Sequence, residues 1–218
     1  MRPITEFANR IVTGDCIAVL KTMPEASVDL VLADPPYLVN YRDREGRNFY
    51  ANDDNSVWVK PAFAELYRVL KPDRFCVCFY GWSKAERFLA GWKAAGFYPV
   101  GHLVWAKHYQ SKAKFVGYRH ECAYVLAKGD PPKPGLILPD VLEWQYSGDV
   151  LHPAQKPLLA LVPLILAFSG LRDLVLDPFA GSGTTAVAAQ LLGRQYIGIE
   201  LDPGYAATAQ ERLRRVSA

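Results

Sequence analysis

Short apolar runs alternate with helix-forming segments along the whole chain, and this alternation limits the fold more than any other feature. The apolar runs predict strands at 10–13, 28–33, 74–80, 98–105, 121–127, 173–176 and 195–199. The segments between them predict helices at 15–23, 57–70, 84–95, 184–192 and 203–215, and a further helix that begins at Pro157. Strands that alternate with helices favour an α/β fold: a doubly wound, mostly parallel sheet with helices on both faces.

Local signals mark the ends of several elements. Ser83 and Glu86 match a capping box, which predicts a side-chain cap at the start of the helix over 84–95. Pro163 lies inside the apolar stretch after Pro157, so that helix is expected to kink there or to begin later. Residues 129–148 are rich in proline and are expected to be irregular.

Composition excludes several classes of protein. The 218 residues, half of them apolar, suffice for a sizeable core, and 1–218 is expected to be a single domain. No apolar stretch approaches the roughly 20 residues that cross a bilayer, and residues 1–10 lack an export signal, so we expect a cytoplasmic protein without a membrane partner. The four cysteines are expected to be reduced thiols, and the spacing of Cys and His predicts no metal site.

Two segments interrupt the alternation and are predicted to be insertions, at 38–56 and 102–150. The first is polar and long for a loop inside a compact domain, which is typical of a functional segment. Within the second, Lys and Arg outnumber Asp and Glu between Lys107 and Lys133. A loop that contacts phosphates and an ordinary solvated surface explain this charge equally well.

The segment from Asp177 to Thr185 predicts a ligand-binding turn. Its glycines follow an apolar strand and open a helix, so free backbone N–H groups lie at the carboxyl edge of the sheet. Thr184 stands where a phosphate-binding loop of the ATP type needs Lys, and the glycine spacing of a dinucleotide site is absent. Glu200 ends the next strand, where a carboxylate can accept both ribose hydroxyls. Together these features indicate a nucleoside without phosphates.

A second motif, Asp34-Pro35-Pro36-Tyr37, follows another strand at the same edge. The prolines fix the backbone and have no N–H, so neighbouring carbonyls are rigid acceptors. A carboxylate, a fixed carbonyl and an aromatic ring together suit a planar base with an exocyclic amine. A proline-rich turn capped by Asp34 is the alternative.

Both motifs resemble those of the amino-methylating DNA methyltransferases, which use S-adenosyl-L-methionine. Gly14-Asp15-Cys16 and the segment from His152 to Pro157 add to the resemblance. The order, with the Asp34 motif first, is similar to the β group of that family, and it implies a circularly permuted methyltransferase (Rossmann-like) sheet. The resemblance covers nearly the whole chain except the two insertions. In such enzymes, these parts would bind nucleic acid and recognise its sequence.

The resemblance also implies roles for individual residues. Phe179, Gly181 and Gly183 would line the path of the cofactor, Glu200 would hold its ribose and Asp15 would face its adenine amine. The full set expected near the cofactor is Asp15, Cys16, Asp34, His152, Gln155, Lys156, Asp177, Phe179, Ala180, Gly181, Ser182, Gly183, Thr184, Glu200 and Leu201. The set expected on nucleic acid is Asn40, Tyr41, Arg42, Arg44, Arg47, Lys107, Lys112, Lys114 and Arg119.

The chemistry follows from the Asp34 motif. An exocyclic amine is a poor nucleophile, and we expect Asp34 and the Pro35 carbonyl to accept its hydrogens while Tyr37 stacks on a flipped base. Methylation at cytosine carbon 5 is disfavoured because no Pro-Cys pair supplies a nucleophile. Asp rather than Ser at 34 makes the chain look more like adenine-N6 than cytosine-N4 enzymes.

The predicted substrate is therefore adenine in double-stranded DNA, as in the modification half of a restriction-modification system. Cytosine N4 in DNA is the first alternative. An RNA base, a glutamine side chain of a protein, and an inactive nucleic-acid-binding subunit are the others. Because the insertions are small, recognition of a short site or help from a second copy in a homodimer is expected.

Overall fold

Eight strands form one sheet in the computed structural model, which describes residues 1–40, 51–110, 115–145 and 155–217. The strands are β1 (Arg10–Thr13), β2 (Val28–Ala33), β3 (Leu70–Phe79), β4 (Tyr98–Ala106), β5 (His120–Lys128), β6 (Val141–Glu143), β7 (Leu174–Asp177) and β8 (Gln195–Glu200). Their order across the sheet is β1-β8-β7-β2-β3-β5-β4-β6. Every residue of β2 is buried, as expected for a central strand covered on both faces.

Helices cover both faces of this sheet. They are α1 (Cys16–Thr22), α2 (Val59–Val69), α3 (Ala85–Ala95), α4 (Leu158–Phe168), α5 (Thr184–Leu191) and α6 (Pro203–Ser217). One core lies between the sheet and α1–α3, around Phe63 and Trp92. The other lies between the sheet and α4–α6, around Leu164 and Ala188. The α/β fold with a doubly wound sheet is thus confirmed.

Strand direction places the candidate site. β2, β7 and β8 are neighbours and run parallel, so their carboxyl ends meet at one edge of the sheet. Asp34, Asp177 and Glu200 lie at these ends, and ligands of doubly wound folds bind outside that edge. Among the described strands, β5 alone runs antiparallel to its neighbours β3 and β4, so the sheet is mostly parallel.

Three local predictions were wrong. β3 begins at Leu70, directly after α2, and Pro72 lies where the register with β2 shifts, a place that tolerates proline. The capping box does not form, because Ser83 lies in a 3-10 turn and Lys84 precedes α3 without a side-chain cap. The third error concerns β6.

β6 lies inside the stretch predicted to be irregular, because its three residues pair with the outer edge of β4. The predicted start of α4 is confirmed, because the helix begins directly after Pro157, and Pro163 lies inside it. A proline there removes the hydrogen bond to the carbonyl of Leu159, which belongs to an exposed residue.

Two further findings concern the whole chain as far as it is described. No helix within the described residues is long and apolar enough to cross a membrane. All four cysteines are free thiols, and Cys76, Cys78 and Cys122 are buried in the core.

Candidate functional site

A cavity of about 700 Å³ opens at the carboxyl edge of β2, β7 and β8. One part, here called the glycine-turn end, is lined by Gly14–Cys16, Phe179–Ser182, Thr184 and Glu200–Asp202, next to β1 and β8. The other, the Asp34 end, is lined by Asp34–Tyr37, Lys107, Glu121 and Lys156, on the side of β3 and β5. The cavity therefore joins the two predicted motifs.

Backbone geometry shapes the glycine-turn end. Gly181 and Gly183 have φ of 51° and 82°, the left-handed region that glycine adopts without strain. Gly183 precedes α5 and lies against α6, where an added Cβ would come within 2.7 Å of Ala209 Cβ. The turn is compact because it has no side chain at this contact.

Glu200 ties this turn to the neighbouring strand. Its Oε2 accepts from the Gly181 N–H at 2.7 Å, and its Oε1 accepts from the Asp202 N–H at 2.8 Å. The Gly14 N–H donates to the Glu200 carbonyl at 2.8 Å, and Asp15 caps α1 by accepting from the Ala18 N–H. Counting only partners in the described part of the chain, each Glu200 carboxylate oxygen keeps a further lone pair for a ligand.

Side chains behind the turn hold it in place. Arg212 of α6 donates to the Ser182 carbonyl at 2.6 Å and to Thr184 Oγ1 at 3.1 Å. The Ser182 hydroxyl donates to Gln155 Oε1 at 3.1 Å. At the other side of the turn, the Phe179 ring packs edge-on against the Trp58 ring, with 5.4 Å between the ring centroids. The turn is thus fixed from both sides.

Asp177 lies at the start of this turn as a buried carboxyl. It accepts from the Phe179 N–H at 3.0 Å. Burial raises its pKa to about 7, although hydrogen bonds from Thr185 and the Phe179 backbone oppose that shift. Asp177 therefore gains a proton near neutral pH.

An ion pair dominates the Asp34 end. Lys156 donates to both carboxylate oxygens of Asp34, at 2.8 Å to Oδ1 and 2.7 Å to Oδ2. The Lys156 side chain is only 8% exposed. Burial lowers the pKa of Lys156, but the Asp34 and Glu121 carboxylates outweigh burial and raise it above its ordinary value. The ammonium therefore stays charged.

Tyr37 links Asp34 to a second carboxylate. Its hydroxyl oxygen lies 3.0 Å from Asp34 Oδ1 and 3.3 Å from Glu121 Oε2. Lys107 donates to the other oxygen of Glu121. Burial raises the pKa of Glu121, but Lys156 and Lys107 outweigh burial, so its pKa is lowered. Burial and both carboxylates raise the pKa of Tyr37, which stays a neutral phenol.

Most residues predicted for the site line this cavity. The residues that do so are Asp15, Cys16, Asp34, Pro35, Pro36, Tyr37, Lys107, Gln155, Lys156, Asp177, Phe179, Ala180, Gly181, Ser182, Thr184, Glu200 and Leu201. Gly183 lies behind the turn against Ala209, and His152 lies outside the described residues.

The residues predicted to contact nucleic acid are spread more widely. Lys107 lies in the cavity wall, bound to Glu121. Asn40 and Arg119 are exposed beyond the cavity, and Arg119 donates to the Lys107 carbonyl at 3.3 Å. The others, Tyr41, Arg42, Arg44, Arg47, Lys112 and Lys114, lie outside the described residues.

Glu121 and Trp144 also line the cavity, although neither was predicted as a site residue. Glu121 counts in the sequence only as one acid within a basic segment, and Trp144 falls in the stretch predicted to be irregular. The available signal was the carboxylate at the start of an otherwise apolar strand, where a charge needs a partner.

Comparison with known proteins gives matches along most of the chain. A family model described as DNA methylase, that of the N6/N4 methyltransferases, matches residues 28–211. YubD of Escherichia coli K12, a protein named as a methylase, is 55% identical over 208 residues, which cover 95% of this chain and 91% of YubD. The type II methyltransferase M.HinfI of Haemophilus influenzae is 31% identical, and the match covers 98% of this chain and 70% of M.HinfI.

A solved structure extends the similarity to the fold. It is the DNA modification methylase TTHA0409 of Thermus thermophilus, complexed with S-adenosyl-L-methionine. The two chains are 27% identical, superpose with a TM-score of 0.76, and match over 95% of this chain and 94% of the other.

Proposed function

Because this chain belongs to the N6/N4 family of DNA methylases, we propose that it transfers a methyl group from S-adenosyl-L-methionine to the exocyclic amine N6 of adenine in DNA. The observation that carries this proposal is the continuous cavity between the glycine turn and Asp34. It gives one compartment for a nucleoside cofactor and for an amine-bearing base.

The glycine-turn end fits the cofactor. The cavity volume of about 700 Å³ lies in the range of small-molecule sites. Glu200 has lone pairs left for ribose hydroxyls, and Asp15 provides a carboxylate for an adenine amine. The turn lacks the lysine that a triphosphate would need. TTHA0409, a relative by fold and sequence, is complexed with this cofactor.

We assign the reaction chemistry to the Asp34 end. When bound, the cofactor supplies an electrophilic methyl group on a sulfonium. Asp34 and the Pro35 carbonyl accept hydrogens of the target amine, which localises its lone pair and stabilises the positive charge that develops there. Lys156 holds the Asp34 carboxylate in one orientation. The Asp34 carboxylate also accepts the proton that the methylated amine must lose.

The target base reaches Asp34 only outside the double helix. An amine inside a duplex is shielded by its neighbours, and enzymes that modify bases flip them into a pocket. Tyr37 provides an aromatic ring for the flipped base. The exposed Arg119, which donates to the Lys107 carbonyl, supplies positive charge beside the cavity, which favours a polyanion.

Finer features of the family assignment are part of the same proposal. The Asp34 motif precedes the glycine turn, which supports the β group and its permuted order. We assign nucleic-acid recognition to 38–56 and 102–150 of a single domain over 1–218, and a homodimer would double that small region. Asp at position 34 supports adenine over cytosine.

Product analysis tests the proposal. The protein is incubated with labelled S-adenosyl-L-methionine and unmethylated duplex DNA, the DNA is digested, and the methylated nucleoside is identified by mass. N6-methyladenine is expected. N4-methylcytosine would contradict the choice of base while keeping amine methylation. Cofactor binding without transfer to DNA would contradict the proposal and favour RNA, a protein glutamine or an inactive subunit.

A further inference from the structure

The Tyr37 hydroxyl lies between two carboxylates but has only one hydrogen. Its oxygen is 3.0 Å from Asp34 Oδ1 and 3.3 Å from Glu121 Oε2. Each carboxylate is paired with a lysine, Lys156 for Asp34 and Lys107 for Glu121. Ionised carboxylates only accept hydrogen bonds. At any moment, therefore, the hydroxyl can donate to one of them and not to the other.

Which carboxylate receives the hydrogen decides how many acceptor sites Asp34 has left. Each carboxylate oxygen can accept about two hydrogen bonds. Oδ1 accepts from Lys156 and faces Tyr37, whereas Oδ2 accepts, among the described residues, from Lys156 alone. When Tyr37 donates to Asp34, only Oδ2 has a free lone pair. When Tyr37 donates to Glu121, both oxygens do.

We infer that Glu121 is a positioning residue that takes the Tyr37 hydroxyl hydrogen when the target amine enters, and so frees Asp34 Oδ1 to accept from that amine. The inference rests on the proposed function and deepens it. The hydrogen changes partner by rotation about the Tyr37 Cζ–O bond. No covalent bond breaks, and the proton stays on the tyrosine.

The surroundings of Glu121 suit this role. Antiparallel pairing of β3 with β5 brings the start of β5, including Glu121, beside the carboxyl end of β3. Lys107 holds one carboxylate oxygen, which leaves the other directed at Tyr37. The Glu121 side chain is 19% exposed, so water competes little for that oxygen. Glu121 is thus an anionic acceptor fixed within reach of the hydroxyl.

A simpler role for Glu121 would be to neutralise Lys107. Under that role, a change at Glu121 would act in the same way whether or not residue 37 carries a hydroxyl. Under our inference, the hydroxyl is what makes the loss of Glu121 harmful, because its hydrogen then stays on Asp34. Removal of the hydroxyl should therefore suppress the defect.

A four-protein cycle separates the two roles: wild type, Glu121→Gln, Tyr37→Phe and the double variant. Gln keeps the shape of Glu121 and an acceptor for Lys107, but a neutral amide competes poorly with the Asp34 carboxylate. With unmethylated bacterial DNA as substrate, we expect Glu121→Gln to lower kcat about tenfold, the order of one charge-assisted hydrogen bond, with KM for DNA unchanged. In the Tyr37→Phe background, the same change should lower kcat by less than about twofold.

Glu86→Gln on α3 is the matched control, because Glu86 is 67% exposed and lies outside the cavity lining. It should leave kcat unchanged. Equal losses from Glu121→Gln in both backgrounds, or no loss in the wild-type background, would overturn the inference alone. A wild type that transfers no methyl group to DNA would contradict the proposed function and this inference with it.

A second readout needs neither cofactor nor turnover. Protein labelled with 13C at tyrosine Cζ gives one resonance that disappears in Tyr37→Phe, which assigns it to Tyr37. We expect Glu121→Gln to shift that resonance and Glu86→Gln to leave it in place. If it does not move in Glu121→Gln, the contact between Tyr37 and Glu121 does not exist in solution and the inference fails.

Discussion

The two ends of the cavity are built from different kinds of interaction. At the glycine-turn end, backbone amides and a left-handed turn form the surface, and Glu200 bonds Gly181 only 19 residues away. At the Asp34 end, charged side chains meet from distant parts of the chain: 122 residues separate Asp34 from Lys156, and 84 separate Tyr37 from Glu121. Local backbone geometry fixes a shape, whereas long-range ion pairs fix a charge distribution.

This difference suggests a division of labour. A shape made of backbone suits a ligand that is only held, such as the proposed cofactor. A balanced set of charges suits a step in which charge develops on the substrate. Changes at the glycine-turn end should therefore alter binding of the cofactor, and changes at the Asp34 end should alter transfer.

Lys156 gives the strongest test of that division, because sequence analysis placed it near the cofactor and the structure pairs it with Asp34. Lys156→Met should lower kcat about a thousandfold, since Asp34 loses the partner that orients it, while cofactor affinity changes far less. Loss of one member of a buried ion pair should also lower the free energy of unfolding by about 3–5 kcal/mol. Transfer assays, calorimetry and denaturant unfolding measure the three quantities. A loss of cofactor affinity as large as the loss of kcat would contradict the separation of a binding end from a reacting end.

Gly81 tests the Asp34 end without touching a charge. A Cβ at this position would lie 2.9 Å from both Tyr37 Cβ and the Tyr37 carbonyl oxygen. Gly81→Ala should displace Tyr37 and lower kcat about a hundredfold, as expected when a group is displaced by about 1 Å. Cofactor affinity should be unchanged. Gly135→Ala, where an added Cβ meets nothing within 4 Å, is the control. An unchanged kcat in Gly81→Ala would show that the position of Tyr37 is unimportant.

Gly183 is the counterpart at the glycine-turn end. Its φ is 82°, and an added Cβ would lie 2.7 Å from Ala209 Cβ. Gly183→Ala should therefore weaken cofactor binding about tenfold through strain of about 1–3 kcal/mol. Isothermal calorimetry checks the affinity, and kcat at saturating cofactor should fall much less. The opposite pattern would contradict the division of labour.

Asp177 gives a test that concerns stability and not binding or transfer. Because its folded pKa is raised to about 7, the folded state keeps a proton that the unfolded state loses near pH 4. The free energy of unfolding should then fall as pH rises from about 4 to 7, by up to about 1.4 kcal/mol per pH unit. Asp177→Asn should flatten this part of the curve, measured by urea unfolding at several pH values. Identical slopes in both proteins would show that Asp177 is ionised throughout.

The glycine-turn end was largely predictable from sequence, and the reason is physical. Its strand, turn, helix and terminal Glu200 are close in sequence, and each follows from local patterns of apolar residues and glycine. The Asp34 motif was found in the same way. Its position at the sheet edge follows from the parallel order of β2, β7 and β8.

The rest of the Asp34 end depends on pairings that no local pattern contains. The role of Glu121 follows from the antiparallel register between β3 and β5, and that of Lys156 from the packing of a segment far along the chain. β6 was missed because three residues form a strand only through an available edge of β4. The capping box failed because a 3-10 turn includes Ser83.

The central claim is that one cavity has a binding end and a reacting end that can be separated. Asp34→Asn tests this most directly, because it keeps the shape of the side chain and removes its charge. Cofactor affinity and methyl transfer to DNA are measured on the same sample, by calorimetry and by label incorporation. The account predicts affinity within a few-fold of wild type and transfer reduced by about a hundredfold or more. Transfer near the wild-type rate, or a parallel loss of cofactor binding, would contradict it.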